Sequence, residues 1–514
     1  MCWKYILLLS ICLLRLFSCS CARIFTLEMH HRFSAQVKEW HHRSRTGLPV
    51  HNWPEKGSVE YYLLLASHDR TIHRRALSGS DGALTFSDGN ATFRISSLGF
   101  LHYTTVTLGT PGMTFLVALD TGSDLFWVPC HCMKCASTDD SPYASDFELS
   151  IYDADRSSTS RHVTCTNDLC THHGSCNGTS GYCPYYVSYV SSETSTSGIL
   201  VEDILHLRTL DNDQEFIKAY VAFGCGQVQT GSFLDIAAPN GLLGLGLEKV
   251  SVPSTLFREG YMANSFSMCF GHDGTGRINF GDKGSINQEE TPFHTNSFHP
   301  TYNVNVTQVR VGTTVLDYEF TALFDSGTSF TYLVDPFYTM LSDSFKSHVR
   351  DQQRPPDPRI PFEYCYTMSH DMQTSLIPGM SLTMDGGGQL VVYDPIIVIS
   401  SPHELVYCLA VVKSQELNII GQNFMTGYRI VFDREKLILG WKKFDCYNLE
   451  DSNTSKAKPV NYAKAPPSTA VSLLNHTTQS DVPDRNNARD LAALSLHTYG
   501  MFDLIHHLLV LLLF

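Results

Sequence analysis

Phe115-Leu116-Val117-Ala118-Leu119-Asp120-Thr121-Gly122-Ser123 returns in the second half of the chain as Phe320-Thr321-Ala322-Leu323-Phe324-Asp325-Ser326-Gly327-Thr328. In each copy an apolar run leads into an acid, a hydroxyl residue, a glycine and a second hydroxyl residue. One Asp-[Ser/Thr]-Gly triplet is expected by chance in roughly one chain in five of this length. Two copies, each preceded by the same apolar pattern, are a different matter. A second pair of short elements follows them, Asn240-Gly241-Leu242-Leu243-Gly244 and Asn418-Ile419-Ile420-Gly421, and tandem duplication of one unit is the economical explanation. Between Phe100 and Tyr447 the chain runs in short β-branched and aromatic stretches punctuated by Gly, Pro and Asn. Tyr103–Leu108, Phe115–Leu119, Phe223–Gly224, Tyr302–Val311, Val391–Ile399, Leu405–Val412 and Tyr428–Phe432 are examples. This pattern predicts a mainly β protein of two homologous lobes, with one clear helix over Asp335–Val349.

The duplicated acids suggest a chemistry. Hydrolysis of an amide by water needs a base to deprotonate the water and an acid to protonate the carbonyl oxygen, and two facing carboxyl groups sharing one proton supply both. Like charges about 3 Å apart cannot both ionise, so one acid stays protonated and the titration belongs to the pair rather than to either member. Asp120 and Asp325 are the candidate catalytic residues. Gly122 and Gly327 allow each turn to bring its acid close to the other loop. Thr121 and Ser326 are placed to bond across the loops, and Ser123 and Thr328 to orient the carboxylates. Such a site calls for no cofactor and no metal.

The two signatures, Asp120-Thr121-Gly122-Ser123-Asp124-Leu125-Phe126-Trp127-Val128-Pro129-Cys130 and Asp325-Ser326-Gly327-Thr328, resemble those of the pepsin-like aspartic proteases. The likeness is closer to the plant nepenthesin-type and GPI-anchored members and covers residues 98–446. The resemblance implies a bilobal β fold with the active-site cleft between the lobes, an extended peptide or protein as substrate, and a flap whose Tyr189 bonds to Trp127. Where the nepenthesin-type branch has a Gly-rich turn after that tyrosine, this chain has Val190-Ser191-Ser192-Glu193. A rival reading is a catalytically silent relative, a binding or inhibitor protein at the cell surface. Such relatives generally damage the active-site loops, and both loops are intact here.

Cysteines cluster between the first signature and the flap, at Cys130, Cys132, Cys135, Cys165, Cys170, Cys176 and Cys183, with Cys225, Cys269, Cys365, Cys408 and Cys446 further on. Cys132 and Cys135 beside His131, His172 and His173 have the spacing of a zinc site. Twelve cysteines in an oxidising compartment favour six disulfides, with a connectivity the sequence does not give. The insert over 130–183 is similar to the disulfide-clamped insert of nepenthesin-type enzymes.

The rest of the chain frames this body. Residues 1–22 carry Lys4, an apolar core and Ser20-Cys21-Ala22, the order of a secretory signal peptide; four of the 16 cysteines belong to it. Residues 23–95 read as a removable pro-segment, rich in Lys, Arg and His on a chain whose net charge is −14. That net charge excludes a phosphate-gathering face, so no nucleic-acid partner is expected. The N-terminal lobe spans 96–290 and the C-terminal lobe 291–446. Sequons at Asn90, Asn177, Asn305, Asn453 and Asn475 fit secretion, and 447–487 reads as a glycosylated linker. Residues 488–514 follow the order of a GPI-attachment signal with Asn486 or Asn487 as acceptor, because the apolar tail from Met501 is too short and too interrupted to span a bilayer. A monomer held at the membrane by a lipid is the expectation.

Overall fold

The computed structural model describes residues 23–42, 53–73, 100–136, 149–170, 176, 181–189, 194–209, 216–234, 237–271, 275–295, 301–368, 377–400, 404–443 and 446. The leader, the linker, the apolar tail and the sequons at Asn90, Asn177, Asn453 and Asn475 lie outside them, as do the GPI acceptor candidates Asn486 and Asn487. Residues up to Lys458 form one compact unit.

The first half begins with β1 (Phe25–His31), followed by two helices, α1 (Ala35–His42) and α2 (Val59–His73). β2 (His102–Leu108) and β3 (Met113–Asp120) form a hairpin in register from Tyr103 opposite Ala118 to Leu108 opposite Met113. Then come β4 (Trp127–Lys134), the long hairpin β5 (Ser195–Arg208) and β6 (Phe216–Gln229), the short β7 (Leu242–Gly244), and β8 (Ser265–Phe270) with β9 (Thr275–Phe280). The second half repeats the plan with β10 (Asn303–Val311), β11 (Phe320–Phe324), β12 (Thr331–Val334) and β13 (Ile419–Ile420). The chain closes with β14 (Tyr428–Asp433) and β15 (Ile438–Lys443).

The duplication is visible in the pairing. β3 runs parallel to β7, with Asp120 opposite Gly244, and β4 meets β7 antiparallel at Trp127 and Leu242. β11 likewise runs parallel to β13, with Phe324 opposite Ile420, and β12 meets β13 at Tyr332 and Ile419. In both halves a strand threads between the two arms of an acidic loop, and a glycine ends it where the backbones crowd. A Cβ on Gly244 would come within 2.4 Å of the Asp124 carbonyl carbon, and one on Gly421 within 2.1 Å of the Phe330 oxygen. Only glycine fits at such an approach.

β10, β11, β12 and β13 lie in an eight-stranded sheet of their own. β14 pairs with β8, Ser265 opposite Asp433, so the C-terminal strands return to the sheet of the first half, while β1 lies between β9 and β2. Alternation buries one side of β1, and Phe25 and Met29 are fully enclosed in the main core cluster. Within 23–42 and 53–73 there are thus a strand inside the sheet and two helices, where the sequence suggested only a charged, removable pro-segment.

The predicted helix is present as Phe337–His348. Two expected strands are each divided. Val391–Ile399 breaks at Asp394-Pro395 because proline has no N–H to give the ladder, and Leu405–Val412 breaks at Ala410, whose N–H turns aside to the Pro395 carbonyl at 2.9 Å.

All twelve cysteines pair: Cys130–Cys225, Cys132–Cys135, Cys165–Cys176, Cys170–Cys183, Cys269–Cys446 and Cys365–Cys408. The Cys132–Cys135 bond removes the thiolates a zinc ion would need there. Asn305 sits half-buried in β10, opposite Thr321, whose hydroxyl donates to its Oδ1 at 2.7 Å.

Candidate active site

Each acid stands at the end of an enclosed strand, where β3 and β11 run out against the threaded glycine. The two cradles match atom for atom. Asp120 Oδ1 accepts the Gly122 N–H at 2.9 Å and Oδ2 the Ser123 hydroxyl at 2.6 Å. Asp325 Oδ1 accepts the Gly327 N–H at 2.8 Å and Oδ2 the Thr328 hydroxyl at 2.6 Å. The strands leading into the loops are tied to their threaded strands by equivalent bonds, Ala118 N–H to the Gly241 carbonyl at 3.0 Å and Leu323 N–H to the Asn418 carbonyl at 2.9 Å.

Burial pushes the Asp120 carboxyl up to about 6; the Ser123 hydroxyl and the Gly122 amide oppose the rise, and the charges of Asp325 and Asp124 add to it. The structure therefore brings the two predicted acids within electrostatic reach of each other. Gly122 and Gly327 each lie against the carboxylate of their own loop. A Cβ on either would meet the carboxylate of its own loop, at 3.2 and 3.1 Å, and each glycine gives that carboxylate its N–H. Thr121 and Ser326 are buried, and among the described residues their hydroxyls do not bond to each other.

On the first loop's side, Trp127 Nε1–H donates to the Tyr189 hydroxyl at 2.9 Å, and both rings stand edge-on to Phe233, at 4.8 and 5.0 Å. Tyr189 lies at the tip of a hairpin formed by Pro184–Ser188 and the start of β5, closed by its own N–H to the Thr194 carbonyl at 2.9 Å. Its neighbours do other work: Tyr185 is buried against the Thr196 hydroxyl at 2.9 Å and Tyr186 is exposed.

On the second loop's side, sequence reasoning missed the residues that matter. Helix α2 meets that loop directly. His68 Nε2–H donates to the Gly327 carbonyl at 3.0 Å. Asp69 accepts from the Ser329 N–H at 2.8 Å, the Phe330 N–H at 3.0 Å and the Tyr332 hydroxyl at 3.1 Å. Leu63, Leu65 and Ala66 of the helix share an apolar cluster with Phe330, Phe362 and Ile397. The signal was present: Ser58 caps the helix, its Oγ accepting the Tyr61 N–H at 3.1 Å, just before the run Tyr61-Tyr62-Leu63-Leu64-Leu65-Ala66. Beside this contact His31 and His102 stack edge to face at 5.6 Å. Burial pushes the His102 imidazole down to about 3, and burial, with His102, Arg32, His68 and Lys56 all opposing a positive charge there, holds His31 well below its ordinary range.

Comparison with known proteins bears on these loops. The xylanase inhibitor N-terminal family matches residues 102–282 and the xylanase inhibitor C-terminal family residues 301–443. Aspartyl protease family protein 1 of Arabidopsis thaliana is 53% identical over 83% of this chain and 82% of its own. Aspartic proteinase-like protein 1 of the same plant is 39% identical over the same shares, and nepenthesin-2 of Nepenthes gracilis is 26% identical over 66% and 77%. Among solved structures, lupine conglutin gamma superposes with a TM-score of 0.54 over 68% of this chain and 93% of its own, at 19% identity, which bears on the fold alone.

Proposed function

This chain belongs to the plant pepsin-like aspartic protease family, and on that premise we propose that it is a working aspartic endopeptidase rather than a silent relative. The observation that carries the reading is the pair of matched cradles, in which each acid is held by one amide and one hydroxyl and burial raises one of the two. Asp120 and Asp325 polarise a water held between them. The water attacks the scissile carbonyl carbon as the protonated carboxyl gives its proton to the carbonyl oxygen. The neutral gem-diol then collapses as a proton passes to the leaving nitrogen, which breaks the C–N bond and restores the shared proton. Tyr189, held by Trp127, closes over the substrate and excludes bulk water. Thr121 and Ser326 steady the loops from beneath.

One carboxyl must remain protonated, so activity belongs to the acidic range. Residues 23–95 act as a pro-segment that blocks the groove until acid loosens it. The contact that supports this is α2 on the second loop through His68 and Asp69. Acid release then rests on the buried imidazoles: a group held below its ordinary pKa stabilises the docked state above pH 6.5 and withdraws that support as pH falls. The leader, the sequons and the tail support a secreted, glycosylated monomer held at the plasma membrane by a GPI lipid, and no helix among the described residues is long and apolar enough to cross a membrane.

The names of the matched family halves, which speak of inhibition, favour the silent-binder reading; the intact loops favour the enzyme. A peptide mimic carrying a statine-type hydroxyl separates them. Tight binding together with acid-dependent cleavage of denatured protein supports the enzyme, and neither result would leave a binder. N-terminal sequencing after acid exposure should give a start between residues 75 and 97; an active protein still beginning near Arg23 would end the pro-segment proposal.

A further inference from the structure

Asp69 is an unusual residue to find enclosed. It has no exposed surface, and burial pushes its carboxyl up to about 7. What receives it is well built. Its two oxygens take the N–H groups of consecutive residues, Ser329 and Phe330, and the Tyr332 hydroxyl closes the third side. The Ser329 hydroxyl is also buried and faces this carboxyl, with no hydrogen-bond partner at good geometry of its own. Two converging amides with flanking hydroxyls fit the two oxygens of a carboxyl group, in the manner of a backbone anion nest.

The place of this cradle gives it a use. It begins four residues after Asp325 on the same loop, and the preceding residue of α2, His68, reaches Gly327, whose own N–H holds the Asp325 carboxylate. On the proteolytic reading, α2 lies against the same loop that carries Asp325 to the substrate. When the helix leaves, the Ser329 and Phe330 amides lose their acceptor, and a ligand that supplies another recovers those hydrogen bonds. The ligand best able to recover that loss is the one the groove already holds.

We propose that the Ser329 and Phe330 amides, with the hydroxyls of Tyr332 and Ser329, form a carboxyl-binding subsite beside the catalytic pair, filled by Asp69 as an internal stand-in and taken over by an acidic side chain of the substrate. The proposal rests on the proteolytic reading and adds a substrate class to it: peptides with Asp or Glu at one fixed position near the scissile bond. Aspartate matches all the donors. Asparagine turns an NH2 group against one of them, and leucine offers nothing. The cation facing Asp69 is Arg32, whose guanidinium feels its charge, and the nearest imidazole is that of His68. Burial raises the enclosed Asp69 carboxyl while the cradle's own N–H and hydroxyl donors oppose the rise, so this acid's contribution to docking is greatest in acid and is lost as pH rises through about 7.

Two measurements test it. In the first, acid-processed protein is given peptide series identical except for Asp, Asn or Leu, scanned through the positions around the scissile bond. At one position Asp should be favoured over Leu by about 10-fold or more in kcat/KM, with Asn between, and Tyr332→Phe should shrink that ratio several-fold. Cleavage with no acidic preference at any position overturns the proposal. The second does not depend on catalysis. Full-length Asp69→Ala protein is titrated with acetate while its thermal unfolding is followed, with chloride as control. A saturable rise in Tm, absent in wild type and weakened by adding Tyr332→Phe, supports the cradle. The absence of any acetate effect refutes it, even if no peptide is ever cleaved. Should Asp69→Ala fail to fold, the peptide series on the wild-type chain decides alone.

Discussion

The two acidic loops are alike within and unlike around. Each holds its carboxylate by one amide and one hydroxyl at nearly equal distances, and each is threaded by a strand ending in a crowded glycine. Around Asp120 stand Trp127 and Tyr189, an aromatic lid from its own lobe; around Asp325 stand His68 and Asp69, from a helix that precedes both lobes. Duplication kept the two cradles alike and left their surroundings free to diverge.

The largest effect should strike both loops equally. Asp120→Asn and Asp325→Asn should each lower cleavage by at least about a thousandfold, since a pair that shares a proton fails when either partner is lost. A variant that kept most of its rate would show that the likeness of the loops is only structural.

Asp69→Leu should act on the second loop alone. Leaving the Ser329 and Phe330 amides without an acceptor should weaken docking of α2 by roughly 2–3 kcal/mol, seen as faster hydrogen exchange at those two amides with Gly122 unaffected. The threaded strands should respond symmetrically, Gly244→Ala and Gly421→Ala each costing about 1–3 kcal/mol in denaturant unfolding because both meet backbone.

That symmetry was readable in the sequence because it is local. Asp120, Asp325 and the glycine elements at Gly244 and Gly421 lie in short motifs whose spacing carries their meaning, and Trp127 and Tyr189 followed from the family likeness. Asp69 was not readable. Its role depends on three donors some 260 residues away in sequence, brought to it by packing that no periodicity records. Phe25–His31 was hidden for the same reason, because charge and histidine content masked a strand whose partners come from β9 and β2. The disulfide pairing likewise needed the fold, since six bonds among twelve cysteines are fixed by distances in space.

A smaller effect tests the aromatic lid. Trp127→Phe removes one hydrogen bond to Tyr189, worth about 0.5–1.5 kcal/mol, and should raise KM several-fold. The gentlest perturbation is His102→Leu, which removes an imidazole whose neutral docked form is lost as pH falls from 6.5 toward about 3. Exchange at Phe25–His31 should then be slower than in wild type at pH 4 and unchanged at pH 7.

The central claim, one proton shared by two carboxyls, is tested most directly by the pH dependence of kcat/KM for the processed wild-type protein on a single good peptide between pH 3 and 9. With Asp120 raised to about 6, the rate should be greatest in acid and fall as pH climbs through that value. A rate that is greatest above neutrality would contradict the account.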